Sequence, residues 1–298
     1  MFEGFTTPSI TLSDEVSIRA RVGGKGPPVL LLHGYPQTSA CWHLVAPMLI
    51  AAGFSVVAPD LRGYGASSKP ASSLDHGTYS KRVMAADQVE LMRRLGYDQF
   101  YVAGHDRGGR VAHRLALDHV GAVKRIAVLD IAPTAVMYEK TDRVFATGYY
   151  HWFFLIQPAP LPERLIGADP DFYLKSKLAA WGKSGQDVYA SDAVAEYCVA
   201  FRDPACIAAT CEDYRAAASI DLVHDAADQD RQIQVPLLAL WGTKGLVGRL
   251  FDVPAAWRAK AVNVMSLGLP VGHFLPEEAP AQTAEALISF FSAGDELG

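Results

Sequence analysis

Apolar and polar positions follow two different periods along the first 130 residues. Between residues 9 and 22 the apolar side chains Ile10, Leu12, Val16, Ile18, Ala20 and Val22 recur mostly at every second position, which predicts an opening antiparallel hairpin ended by the turn at 23–28. Residues 29–32 and 54–58 are short, largely apolar runs, the pattern of strands covered on both faces. A helical period predicts helices over 42–52 and 79–95, the second stopped by Gly96. Residues 100–103 read as another short buried strand, a helix follows from Val111, and 125–129 is strand-like again. Strands alternating with helices in this way predict an α/β class with a mostly parallel sheet.

The alternation then stops. From about residue 133 to 232 the chain gives aromatic and polar helical patterns without an obvious buried strand, broken at Pro158-Ala159-Pro160-Leu161-Pro162 and Asp169-Pro170-Asp171. A strand pattern resumes at 236–242, a loop leads to Gly272-His273-Phe274, and a last helix is expected over 279–291. The expected organisation is a core made of 1–132 and 233–298, with a helical cap, 133–232, inserted into it.

Half of the 298 residues are hydrophobic and a fifth are charged, so a sizeable core is expected. A net charge of −5 argues against nucleic acid or an anionic membrane as partner. The four cysteines form no C-x-x-C pair and have no zinc-like spacing, which points to free thiols in a reducing compartment. The N-terminus lacks a basic segment followed by an apolar run, and no 18-residue uncharged apolar stretch occurs, so a soluble, cytoplasmic chain is expected. No ligand cluster implies a metal, and no cofactor is expected. The loop 60–67 is rich in glycine but lacks the Walker lysine and the G-x-G-x-x-G spacing.

Candidate chemistry lies between the strand at 100–103 and the helix from Val111. There, Gly104-His105-Asp106-Arg107-Gly108 has the form G-x-nucleophile-x-G. A sharp strand-to-helix turn pushes one side chain outward, and glycines on either side remove Cβ atoms that would collide. The free N–H groups of the first helical turn favour an anion at that place. Alone, an Asp between two glycines is more often an ordinary turn. Two further residues change the balance: Asp130 ends the next strand, and His273 follows the last one. Chemistry in open α/β sheets collects at such carboxyl ends.

Asp106, Asp130 and His273 stand in the order nucleophile, acid, base. Together with His33-Gly34-Tyr35-Pro36 and Arg107-Gly108-Gly109-Arg110, they resemble the Asp-nucleophile branch of the α/β-hydrolases, which holds haloalkane dehalogenases, soluble epoxide hydrolases and fluoroacetate dehalogenases. The paired arginines and the cap motifs Tyr150-His151-Trp152 and Asp213-Tyr214-Arg215 are most similar to the last of these, and the likeness spans essentially the whole chain. The resemblance implies hydrolytic dehalogenation of haloacetates such as fluoroacetate and chloroacetate to glycolate and halide, through an ester on Asp106 that water activated by His273 and Asp130 hydrolyses. It further implies that Arg107 and Arg110 hold the substrate carboxylate and that His151, Trp152 and Tyr214 receive the halide. Backbone N–H groups of Tyr35 and Arg107 would form the oxyanion hole, Trp181 and His105 would belong to the pocket, and the chain would be a homodimer. Two alternatives remain open: an epoxide hydrolase in which Tyr214 acts with Tyr149 or Tyr150, and a non-catalytic receptor on a hydrolase scaffold.

Overall fold

The computed structural model describes residues 1–293. Eight strands form one sheet: β1 (Ser9–Thr11), β2 (Ser17–Gly24), β3 (Pro28–Leu32), β4 (Ser55–Pro59), β5 (Phe100–His105), β6 (Val123–Leu129), β7 (Leu237–Gly242) and β8 (Val264–Leu269). Their order across the sheet is β1-β2-β4-β3-β5-β6-β7-β8, with β2 antiparallel to both of its neighbours and every other pair parallel. The expected opening hairpin is present. Residues 29–32 and 55–58 are buried throughout, because helices cover both faces of the central strands.

On the core side, α1 (Val45–Ala51), α2 (Lys81–Arg94) and α3 (Arg107–Asp118) follow β3, β4 and β5. Gly96 sits just beyond α2 at φ +87°, a backbone region that glycine enters without a Cβ penalty. The helix expected over 42–52 begins later: 39–42 is a 3₁₀ turn capped by the Thr38 side chain, and α1 starts at Val45.

Between β6 and β7 the chain is helical, as the pattern predicts. It forms α4 (Thr134–Glu139), α5 (Arg143–Gly148), α6 (His151–Phe154), α7 (Leu161–Ala168), α8 (Pro170–Trp181), α9 (Ser191–Phe201), α10 (Pro204–Ala217) and α11 (Ile220–Ala227). This segment is called the cap below. After β7 come α12 (Leu246–Leu250), α13 (Val253–Arg258), β8, α14 (Leu275–Glu278) and α15 (Pro280–Ser292). The region expected as a loop before His273 therefore holds two short helices and a strand. β8 escapes detection because it is the sheet edge: Met265 and Leu267 are exposed, and Ser266 and Gly268 break any apolar run. Among the described residues no helix is long and apolar enough to cross a membrane, and all four cysteines are free and buried.

Candidate active site

The turn from β5 into α3 holds Asp106 at φ +47° and ψ −113°, a conformation that only close surroundings can enforce. Its neighbours leave no room for side chains. A Cβ on Gly104 would stand 2.3 Å from the Gly108 carbonyl oxygen, and one on Gly34 would stand 2.4 Å from the Asp106 Cβ. The carboxylate is thereby pushed against the loop after β3, where the Tyr35 N–H donates to Asp106 Oδ1 at 2.9 Å. Arg107 is the first residue of α3, so its own N–H has no intrahelical acceptor.

Parallel pairing of β5, β6 and β7 brings the other two members of the triad alongside. Asp130, also at positive φ, accepts the Gly242 N–H on Oδ1 at 2.9 Å and meets His273 Nδ1 with Oδ2 at 2.6 Å. The opposite ring nitrogen, Nε2, lies 3.9 Å from Asp106 Oδ2. All three residues are buried. Burial alone would depress the His273 pKa, but the hydrogen bond and charge of Asp130, with the charge of Asp106, raise it above 6.5. Asp130 moves up because it is buried, against its bond to His273. Burial also pushes Asp106 up, yet the charges of His273, Arg110 and Arg107 prevail and hold it below the usual carboxylate range. Asp106 is thus ionised near neutrality.

The two arginines are both buried beside Asp106, but their surroundings differ. Arg107 Nε and Nη2 grip the Asp213 carboxylate at 2.9 and 2.7 Å, and the guanidinium carbon sits 4.1 Å from the Tyr214 ring centroid. Asp213 lies on α10 of the cap; it also receives the Tyr64 hydroxyl at 2.6 Å and the ammonium of Lys81, which in turn lies 3.3 Å from Asp221. Burial works against ionising Asp213, but Arg107 and Lys81 outweigh it and lower its pKa. Arg110 has no carboxylate partner among the described residues. Its Nη1 donates to the Ala132 carbonyl and Thr134 Oγ1 at 3.1 and 2.9 Å, and its Nη2 faces Met137 Sδ at 3.1 Å. Arg107 Nη1 and Arg110 Nε are buried without a partner. Both unpartnered nitrogens belong to guanidiniums whose charges help lower the Asp106 pKa.

Above Asp106 the cap contributes an aromatic enclosure. The His151 ring lies 5.5 Å from that of Tyr214, which lies 6.3 Å from Trp152; Trp181 closes against His151 at 4.4 Å and His273 at 5.8 Å. His151 is held neutral, its pKa pushed well down by burial, and burial likewise keeps the Tyr214 hydroxyl protonated. Both can donate hydrogen bonds at neutral pH. Of the residues expected in the pocket, Trp181 lines a cavity of about 150 Å³ that reaches His273, with Tyr149, Lys183 and Arg249 also on its wall. His105 is sealed beneath the base instead: its Nε2 donates to the His273 carbonyl at 2.8 Å, and burial pushes its pKa down to about 3. Of the two alternative tyrosines, Tyr150 faces outward and contacts Lys177, while Tyr149 is buried with an unpartnered hydroxyl. A larger groove of about 590 Å³ follows residues 158–165 on the cap, away from Asp106.

Sequence reasoning did not assign Asp213, Lys81 or Tyr64, the buried group that fixes Arg107. The one available signal was adjacency: Asp213 immediately precedes Tyr214. Among the described residues, no group of three or more His, Cys, Asp or Glu could hold a metal ion.

A family model described as the alpha/beta hydrolase fold matches residues 27–280. The chain is 49% identical to a fluoroacetate dehalogenase from Burkholderia sp. over 292 residues, covering 98% of this chain and 95% of the relative. It is 35% identical to a soluble epoxide hydrolase from Corynebacterium sp. (strain C12), covering 90% and 91%. A crystal structure from Nostoc sp. PCC 7120 superposes with a TM-score of 0.96 at 57% identity, covering 99% of this chain and 100% of that one.

Proposed function

Since the chain belongs to the α/β-hydrolase family and is a homologue of fluoroacetate dehalogenase, we propose that it hydrolyses haloacetates to glycolate and halide, with Asp106 as the nucleophile. The carrying observation is a buried, ionised Asp106 flanked by two guanidiniums that each keep an N–H edge free. A haloacetate brings its own negative charge to an anionic nucleophile, and only neutralisation of that charge lets the two approach. The free edges of Arg107 and Arg110 supply it.

Asp106 Oδ1 is occupied by the Tyr35 N–H, so Oδ2 is the attacking atom. It displaces the halide from the carbon next to the substrate carboxylate, forming an ester while the carbon–halogen electron pair leaves with the halide. His151, the Trp152 indole and the Tyr214 hydroxyl donate to that leaving charge. A water hydrogen-bonded to His273 Nε2, which lies 3.9 Å from Asp106 Oδ2, then gives a proton to His273 as its oxygen attacks the ester carbonyl carbon. The N–H groups of Tyr35 and Arg107 hold the resulting oxyanion; on its collapse the ester C–O bond breaks, the departing oxygen takes the proton from His273 to give glycolate, and Asp106 loses the remaining proton to solvent. Asp130 keeps the His273 tautomer whose Nε2 accepts the proton. No step needs a cofactor. The homodimer and cytoplasmic location implied by the resemblance complete this reading, and light scattering and cell fractionation check them.

A second reading, epoxide hydrolysis, draws on one observation: the buried hydroxyl of Tyr149 is unpartnered, and its ring lies 5.3 Å from His151. Parallel assays decide between the two. Release of fluoride and chloride from the haloacetates, without opening of styrene oxide, is the expected result. Epoxide opening without halide release overturns the proposal.

A further inference from the structure

Two adjacent acids follow the base, and their surroundings are opposite. Glu278 is partly exposed, and its carboxyl group accepts the backbone N–H groups of Gly272, Phe274 and Lys183 at 3.0, 2.9 and 2.7 Å. Glu277 is 3% exposed, and among the described residues no cation pairs with it. Its Oε1 accepts the Tyr197 hydroxyl at 3.0 Å and its Oε2 meets the Gln37 side-chain amide. These contacts join three separate parts. Gln37 belongs to the loop carrying Tyr35, which its own N–H closes onto the Gly34 carbonyl at 3.0 Å. Tyr197 belongs to α9 of the cap, and Glu277 stands four residues after His273.

We propose that Glu277 is a positioning residue that works as a neutral carboxylic acid, tying the Tyr35 loop, the His273 loop and α9 into one assembly, and that ionising it slackens the assembly and slows hydrolysis of the Asp106 ester. Hydrogen-bond inventory supports the neutral form. With the Gln37 amide turned over, its oxygen accepts the acid proton of Glu277 while Tyr197 still donates to Oε1. The amide oxygen is unpartnered as it stands and the amide nitrogen would be after turning, which also gives up a long 3.4 Å donation to the Tyr197 hydroxyl, so the neutral acid exchanges one unpaired amide group for another. An ionised Glu277 would instead be a buried charge without a counterion. The groups facing it are the Cys41 thiol from the 3₁₀ turn, Tyr197 from α9, Tyr189 from the segment before α9, and Glu278 from its own helix; none is cationic. Arg21, the cation near Cys41, is engaged with Glu196 and Ser39. Burial pushes Glu277 up to about 8, against the bonds from Tyr197 and Gln37.

Two readouts test this. The stability readout does not depend on the proposed haloacid chemistry, whereas the kinetic readout rests on it. The folded-state pKa of about 8 lies above the ordinary 4.5, so between those values the folded chain binds one more proton than the unfolded chain. Wild-type stability therefore falls as pH rises, by about tenfold in the unfolding constant per pH unit, and levels off above about 8. Glu277→Gln cannot titrate, so urea unfolding of the two proteins should diverge at that rate from pH 5 to 8. A difference that does not change with pH overturns the neutral acid. In kinetics, wild-type ester hydrolysis should decline above about pH 8. Glu277→Gln should stay within about threefold of wild type at pH 7 and keep its rate to pH 9, whereas Glu277→Leu should be slower at every pH. An alkaline decline that persists unchanged in Glu277→Gln belongs to another group, such as Lys177, which burial brings down to about 8, and overturns the positioning role. Loss of more than tenfold in Glu277→Gln at pH 7 overturns it as well. If neither protein turned over any haloacid, the proposed function would fail while the stability comparison still stood.

Discussion

The rim formed by the carboxyl ends of the strands, called the sheet edge from here on, and the cap meet over Asp106, and they bring different kinds of order to it. The sheet edge supplies charge and backbone: two aspartates at positive φ, an N–H at 2.9 Å, and a histidine fixed by a 2.6 Å contact. The cap presents neutral donors on rings that pack against one another, His151, Trp152 and Tyr214. A parallel sheet can set backbone atoms to within a fraction of an ångström, because strand pairing fixes both neighbours of each loop. A helical insertion shapes space through side chains. The difference teaches where to look for each property. Reaction type should reside at the sheet edge, and choice among halides should reside in the cap.

The largest blow to this division comes from the sheet edge. Asp106→Asn should lower turnover on the order of 10⁴-fold or more for every haloacetate alike, the scale for removing a nucleophile. A loss confined to one halide, measured by halide release, would put selectivity in the edge and break the comparison. Next, His273→Asn should stop only the second stage. Such a variant should release about one halide per active site and then stall, because asparagine cannot take a proton from water near neutral pH. Intact-mass spectrometry should show the added carboxymethyl group, and peptide mapping should place it on Asp106.

Acid should do reversibly what that substitution does permanently. The bond to Asp130 holds the His273 pKa up, so its neutral, basic form is lost on acidification, while Asp106, held below the usual carboxylate range in the free protein, is still ionised to begin the cycle. Quenching at about pH 5 should therefore trap more ester than at pH 8. Equal trapping at both values would mean that His273 does not govern the second stage.

Smaller effects test the boundary between the two regions. Arg110→Leu should cost roughly 2–5 kcal/mol in kcat/KM, the range for truncating one side of a buried charge pair. In the cap, Tyr214→Phe should leave chloroacetate turnover within about tenfold and reduce fluoroacetate turnover by a further 10- to 100-fold, since fluoride leaves with the more concentrated charge. Equal losses for the two acids would reduce Tyr214 to a packing role and erase the proposed division.

Legibility in the sequence follows the same line. Strand β5, its turn and α3 announce themselves because an apolar run, two glycines and a helical period are all local. Asp130 and His273 could be placed because each follows a readable strand or a distinctive short motif. β8 could not, since an edge strand with Met265 and Leu267 in solvent carries no buried run. Arg107 and Arg110 look alike in the sequence, three residues apart on one helix. Only the fold brings Asp213 to one and not the other, across 106 positions. Lys81, which nothing local in the sequence singles out, is buried against two aspartates. Long-range charge pairing leaves no periodic trace, whereas backbone geometry at a tight turn dictates residue types directly.

The clamp around Asp213 also sets a clock. Swinging the cap away would strip a buried carboxylate from Arg107 and Lys81, a cost of about 3–5 kcal/mol for breaking such a pair. The cavity beside Trp181 reaches His273 without involving that clamp, so a small molecule entering there would avoid both this cost and the microseconds to milliseconds that hinged segments take.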